Sequence, residues 1–428
     1  MNEEAKDYLS QATQAYASGQ YAVSQELCDK VTALYPDTTE AYALAGSCCL
    51  VREMFFAAEK YFRRSVSLDP ENGERYFELA NSLFGQQRNA EAMEAYATAL
   101  QYGCRDEVMR KIHYIVGLLN QFSGNRQEAL KNYAQSEAYP GNNEDLVDIL
   151  LQRTQIYVEQ NDMENAEKCA LQVKLLRPGE FRSYQLLFQI YLERKKLDEA
   201  AAILDEAQRF CGEQAADRIE ISFDKAMLLC YRSEQDEESQ GRFYAEALRV
   251  LSDLQKNEAL DPQELCEARL TSAEINMKLG YYAEARSMAE QAAKMREEAG
   301  SDNADRACYI LVRCGKTLED HALANRYLQP LKESENLFYR HYGHYMEANL
   351  AGTIPEKQEE ANLIRQRAIA YFRNCTAASA VDFMAYVFRA YIYADAGEYD
   401  KALKLMELLP NDLQQFILDY INQVRGEE

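Results

Sequence analysis

The sequence predicts an all-α fold, a solenoid of about 11 stacked helix–turn–helix units closed by one C-terminal helix. Three observations lead there. The first is a repeat of 34 residues near the N-terminus, in which Tyr8, Tyr42 and Tyr76 share one register and Ala12, Gly46 and Ala80 another. Ser24, Ala58 and Ala92 continue it, followed by Val31, Ser65 and Ala99, then Pro36, Pro70 and Cys104. The second is the spacing of apolar residues by three and four, the period of a helix with one buried face. The third is composition. Only 8 prolines and 18 glycines interrupt 428 residues, and 47% hydrophobic residues suffice for a packed interior.

In the first unit, Tyr8, Ala12 and Ala15 form one helical face beside Leu9 and Tyr16, and Gly19 ends the helix. Ser24, Leu27, Cys28, Val31 and Leu34 mark the second helix, which stops before Pro36. The small residues Ala12 and Ser24 let the two axes approach, and an aromatic of the next unit is expected to fill the space left. Each helix is too short to be stable alone, so packing between neighbours must stabilise it.

The same signals recur along the chain. Gly117, Gly124, Ala129 and Tyr133 mark a fourth unit, Tyr157, Ala166, Val173 and Pro178 a fifth, and Tyr184, Tyr191, Ala200 and Ala207 a sixth. A seventh, at about 215–256, carries an acidic insertion from Ser233 to Arg242. Ala273, Gly280, Tyr282, Ala285 and Ala292 mark the eighth, and Val312, Ala324 and Leu331 the ninth. The tenth is stretched over about 335–375 with Gly352 and Pro355 in its turn; Ala390, Gly397, Tyr399 and Ala402 mark the eleventh. Residues 411–425 form the closing helix, with Leu413, Phe416, Ile417, Tyr420 and Val424 as its apolar side. The expected organisation is a regular array over 1–212, an irregular repeat and possible hinge over 213–262, and a second array over 263–428.

This pattern resembles the tetratricopeptide repeat (TPR) family: an aromatic at the fourth place, Ala or Gly at the eighth, a small residue at the twentieth and Pro at the thirty-second. The usual tryptophan is replaced by Tyr8, Tyr42, Tyr76 and Tyr184. The resemblance implies a right-handed superhelix whose first helices line a concave groove for a protein or peptide.

Charge and motifs exclude several functions. Lys plus Arg total 47 against 70 Asp plus Glu, a net charge of −23 that opposes general binding to nucleic acid or anionic membranes. The 11 cysteines contain no C-x-x-C pair and fit a reducing compartment. No secretory signal follows Met1-Asn2-Glu3-Glu4, and no apolar run is long enough to span a bilayer, so a cytoplasmic location is expected. Gly315-Lys316-Thr317 lacks the upstream glycine of a phosphate-binding loop, Ile310 standing in its place. His341, His344 and Glu347 share a helical spacing, but Tyr339, Tyr342 and Tyr345 interleave with them and suggest packing and a groove surface. His113 and His321 are isolated, and no nucleophile–base pair is evident. No metal, cofactor or catalytic residue is expected.

The groove positions implied by the resemblance give two candidate surfaces. In the first four units they are Leu9, Tyr16, Leu50, Phe77, Asn81, Phe84, Tyr114, Leu118 and Phe122, an aromatic row suited to apolar anchors of a peptide. The same row fits packing between neighbouring first helices. The clamp with which chaperone-binding members hold a carboxylate is absent, since Leu9, Thr13, Leu44, Glu74 and Glu78 occupy its places. In the ninth and tenth units the positions give Arg306, Tyr309, Arg313, Lys316, Arg340 and His344, a cationic set for an acidic peptide or phosphate group, or a solvated face offset by Asp305, Glu319 and Asp320. A non-catalytic scaffold is the first reading; a peptide sensor that changes curvature on binding is the alternative.

Overall fold

The structure is a computed structural model that describes residues 3–295, 300–352, 358–379 and 382–426. Its helices gather into two compact units, Met1–Cys211 and Gly212–Glu428. In the first, helices pair as α1 (Glu3–Ala17) with α2 (Tyr21–Leu34), α3 (Thr39–Val51) with α4 (Phe55–Leu68), and α5 (Gly73–Gly85) with α6 (Asn89–Tyr102). The next pairs are α7 (Asp106–Phe122) with α8 (Arg126–Glu137), α9 (Asn143–Glu159) with α10 (Met163–Leu176), and α11 (Phe181–Glu193) with α12 (Leu197–Phe210). The second unit pairs α13 (Ala215–Gln235) with α14 (Gln240–Leu254), α15 (Pro262–Lys278) with α16 (Tyr282–Ala293), and α17 (Ser301–Thr317) with α18 (His321–Lys332). It continues with α19 (Leu337–Gly352) and α20 (Gln358–Ala378), α21 (Phe383–Asp395) and α22 (Tyr399–Met406), and ends with α23 (Asn411–Arg425).

Within each unit every helix packs on its chain neighbours. From α1 to α11, and again from α15 to α23, each odd-numbered helix also meets the next odd-numbered one, which makes a layer of first helices in each unit. This is the TPR α-solenoid architecture expected from the sequence.

One backbone device turns most pairs. The second residue after the first helix sits in the left-handed region: Gly19, Glu53, Gln87, Gly124, Asn161, Lys195, Gly280, Glu319 and Gly397. The N–H of the following residue then reaches back to a carbonyl near the helix end, as in Gln20 to Ala15 O at 2.8 Å, Met54 to Cys49 O at 2.9 Å and Glu398 to Tyr393 O at 2.8 Å. That bond satisfies a carbonyl the helix leaves open. Glycine adopts this conformation freely, whereas Glu53 or Lys195 does so against a side-chain clash.

Close approach within each pair depends on small residues. Ser24 Oγ donates to the Ala12 carbonyl at 2.8 Å, and Ser136 Oγ to that of Arg110 at 2.9 Å. The Phe62 ring lies against Gly46 and the Tyr133 ring against Gly117, so close that a Cβ would stand 2.5 and 2.6 Å from ring atoms. The filling aromatic therefore comes from the second helix of the same unit, not from the next unit.

Two further expectations change. The stretch from Ser233 to Arg242 is mostly helix: it ends α13 and begins α14, leaving only 236–239 as connection. Ser233 is buried, and Glu234 on that extension pairs with Lys278 of α15 at 2.6 Å. The closing helix buries Ile417 and Ile421, while Phe416 stays 59% exposed. Gly352 is the last residue of α19, and Pro355 lies outside the described residues. Gly315 sits inside α17, where a Cβ would stand 2.7 Å from the Ala324 nitrogen; packing explains that glycine.

Glu53→Gly and Lys195→Gly should each stabilise the protein by roughly 0.5–1 kcal/mol, the left-handed strain relieved exceeding the added chain entropy. Gly46→Ala should cost about 1–3 kcal/mol, because Phe62 must move. Urea unfolding followed by circular dichroism checks both.

Candidate ligand groove

In the first unit the aromatic row divides between packing and exposure. Leu50 and Phe77 pack against the core around Phe62, Leu79 and Tyr96, and Tyr114 and Leu118 against that around Tyr133 and Ile149. Leu9 joins the cluster of Ala12 and Cys28, and Tyr16 meets Tyr21 edge-on at 5.3 Å. Asn81 Oδ1 accepts the Tyr96 hydroxyl at 2.7 Å, so its carbonyl is already engaged. Only Phe84 (37%) and Phe122 (81%) are well exposed among these residues. Nearby, burial lifts the Glu78 carboxyl to about 6 despite its 3.2 Å pairing with Arg75.

In the second unit α17 presents Arg306, Tyr309, Arg313 and Lys316 at helical spacing, and these four share a face. They differ in how far they are neutralised. Arg306 is bound by both oxygens of Glu274 on α15, at 2.7 and 2.6 Å, with Thr271 Oγ1 at 3.1 Å. It is a tie between two helices rather than a free cation. Arg313 has no carboxylate partner among the described residues; its guanidinium lies over the Tyr309 ring at 5.6 Å and donates to the Tyr309 hydroxyl at 3.1 Å. Lys316 also lacks an ion pair among the described residues. Burial lowers its pKa; the Asp395 charge opposes that shift and Arg313 adds to it.

Arg340 and His344 do not join this face. Arg340 donates to the Ser334 carbonyl at 2.7 Å, and His344 stacks on Tyr371 of α20 with centroids 3.8 Å apart. Burial holds the His344 imidazole down to about 4, so it is neutral near pH 7. The face of α19 turned to α17 is instead that of Phe338, Tyr342, Tyr345 and Asn349, with Tyr342 edge-on to Tyr309 at 4.6 Å. These positions lie within about 60° of one another around a helix of 3.6 residues per turn, and 340 and 344 fall on the other side. The His341, His344 and Glu347 grouping also dissolves, since Glu347 pairs with Lys332 at 2.8 Å.

Beyond the aromatic floor lies a polar network that spacing along one helix does not reveal. Tyr345 and Tyr420 hydroxyls meet at 2.7 Å, Tyr420 donates to Asp395 Oδ1 at 2.6 Å, and Asn349 Nδ2 donates to Asp395 Oδ2 at 2.6 Å. Asn349 Oδ1 is buried and finds no donor. Three helices, α19, α21 and α23, thus build one wall beside Lys316. The signal for α19 was its spacing of aromatics; Asp395 and Tyr420 had none.

The family comparison agrees with this geometry. The family model for the tetratricopeptide repeat matches residues 9–73 and 53–107. Residues 9–107 thus match the tetratricopeptide repeat, and the helical pairs and left-handed turns carry the same repeat fold through the rest of the chain. No curated protein matches it. Similar solved structures include PilF of Pseudomonas aeruginosa, 16% identical over 52% of this chain and 99% of its own, with a TM-score of 0.43. A tetratricopeptide repeat protein from Parabacteroides merdae is 15% identical over 62% of this chain and 94% of its own, at 0.45. The apo form of the quorum sensor NprR from B. thuringiensis is 15% identical over 68% and 87%, at 0.42.

Phe77→Ala should destabilise the first unit by about 2 kcal/mol or more, because the ring is part of the packed core. Phe122→Ala should change stability by no more than about 0.5 kcal/mol. Thermal melts of the two variants test the division between packed and exposed residues.

Proposed function

We propose that this chain is a non-catalytic interaction scaffold, and that its second unit binds a peptide carrying an acidic group on the face of α17 and α19. The observation that carries the reading is the pair Arg313 and Lys316. In a chain of net charge −23, both lie on one helical face without a carboxylate partner among the described residues. An incoming carboxylate would gain charge-assisted hydrogen bonds where solvent is partly displaced. Tyr309 and Phe338, the latter 39% exposed, offer aromatic contact to an apolar neighbour in the peptide. Arg306 stays with Glu274 and positions α17 instead of meeting the ligand.

The test is a displayed peptide library panned against the wild type and against Arg313→Ala and Lys316→Ala. Enriched peptides should be acidic, and each substitution should weaken them by about 10-fold or more, with the helical content unchanged. Equal enrichment by the double variant would remove this face from the reading.

Affinity should also depend on pH with a definite sign. Lys316 is lowered by burial, so it loses its charge at a lower pH than an ordinary lysine. Binding of an acidic peptide should weaken as pH rises through that lowered value, while Arg313 stays charged. Below it, both cations are present and affinity is at its plateau. Lys316→Arg should flatten the profile, measured by fluorescence anisotropy across the alkaline range.

A further inference from the structure

A second polar centre lies on the other side of α19. His341 is fully buried. Its Nδ1 is 2.9 Å from the Tyr371 hydroxyl of α20, and its Nε2 is 2.9 Å from Asp382 Oδ2 at the start of α21. Cys375, one turn beyond Tyr371, completes a set in which one nitrogen, one sulfur and one oxygen lie within 4.8 Å of one another.

We propose that His341, Cys375 and Asp382 form a zinc site that fastens α19, α20 and α21. The donor set is the first reason. Thiolate, imidazole and carboxylate together suit Zn2+, whereas magnesium and calcium take oxygen alone. The second is that the donors are oriented from behind. Asp382 Oδ1 accepts the Ala385 N–H at 3.2 Å, which turns the other oxygen toward His341. The Tyr371 hydroxyl holds the Nδ1 edge of the imidazole and also bonds the Cys375 thiol. Metal ligands characteristically have such outer partners. The third is the thiol itself: a polar tie between helices needs only the His341–Asp382 contact, and Cys375 adds nothing to it.

Zinc bonds of about 2.0–2.3 Å place tetrahedral ligands roughly 3.3–3.8 Å apart, so the set must close by about 1 Å, within the reach of side-chain rotation. Nε2 would bind the metal, leaving Nδ1–H to donate to Tyr371. Asp382 is 15% exposed and Cys375 partly so, which leaves a path for the ion and room for water as fourth ligand. The ligands lie far apart in the chain, Asp382 being 41 positions beyond His341, so no local motif announces them.

The experiment uses the full chain, untagged, reduced and stripped of metal. Titration with Co2+ should produce visible d–d bands of a tetrahedral centre and a near-ultraviolet thiolate band, both abolished by a single equivalent of Zn2+. Zinc should raise the melting temperature by several degrees. Cys375→Ser, at a partly exposed position, should keep the helical spectrum, lose the thiolate band and lose the zinc-dependent shift. Asp382→Asn should weaken zinc binding by at least about 10-fold. Absence of a thiolate band in the wild type overturns the proposal, whether or not the variants fold. So does a band that persists in Cys375→Ser, which would place the metal on another cysteine.

Discussion

Most pairs of helices are closed by one residue held at positive φ, and the rest of the architecture follows from that turn. From Gly19 to Gly397 the turn sends the chain back on itself, so the second helix lies against the small residues of the first. Phe62 can then rest on Gly46 and Tyr133 on Gly117, and Ser24 can reach the Ala12 carbonyl. Because the pair closes at a fixed distance, the first helices of successive pairs can pack on one another as a layer. The face proposed to take a peptide belongs to that layer. Relaxing the turn would disturb the face before it touched any residue on it.

Charge on this face is governed by what lies one helix away. The second unit spends Arg306 on Glu274 and Lys332 on Glu347, both between helices. Partly buried pairs of this kind orient helices more than they stabilise them. Arg313 escapes because the side chains around it are tyrosines, which attract a guanidinium without neutralising it. Lys316 feels the charge of Asp395, but that carboxylate already accepts from Tyr420 and Asn349. With Asp395 engaged by these two hydrogen bonds, neither cation has an ion pair among the described residues. The opposite side of α19 is organised differently, with His341 enclosed by donors and acceptors from two neighbouring helices. One helix thus carries two chemically distinct faces.

The sequence by itself determined the helical repeat and glycine turns such as Gly19, because periodicity and turn chemistry act over a few residues; the layer of first helices came only through the family resemblance, and turns at Glu53 or Lys195 carried no signal. It placed Arg306, Tyr309, Arg313 and Lys316 on one face of α17, which spacing along one helix decides. It misplaced Arg340 and His344, because the tenth unit departs from the repeat length that sets the register. It could not separate Phe77 from Phe122, since exposure depends on neighbours in other helices. Tertiary structure alone decided which cations stay unpaired: the partner of Arg306 lies 32 residues away, and Asp395 is satisfied by residues 25 and 46 positions distant. Pairing at such separations depends on how helices stack, and no local pattern encodes it. The same holds for His341, whose donors and acceptors come together only when α19, α20 and α21 pack.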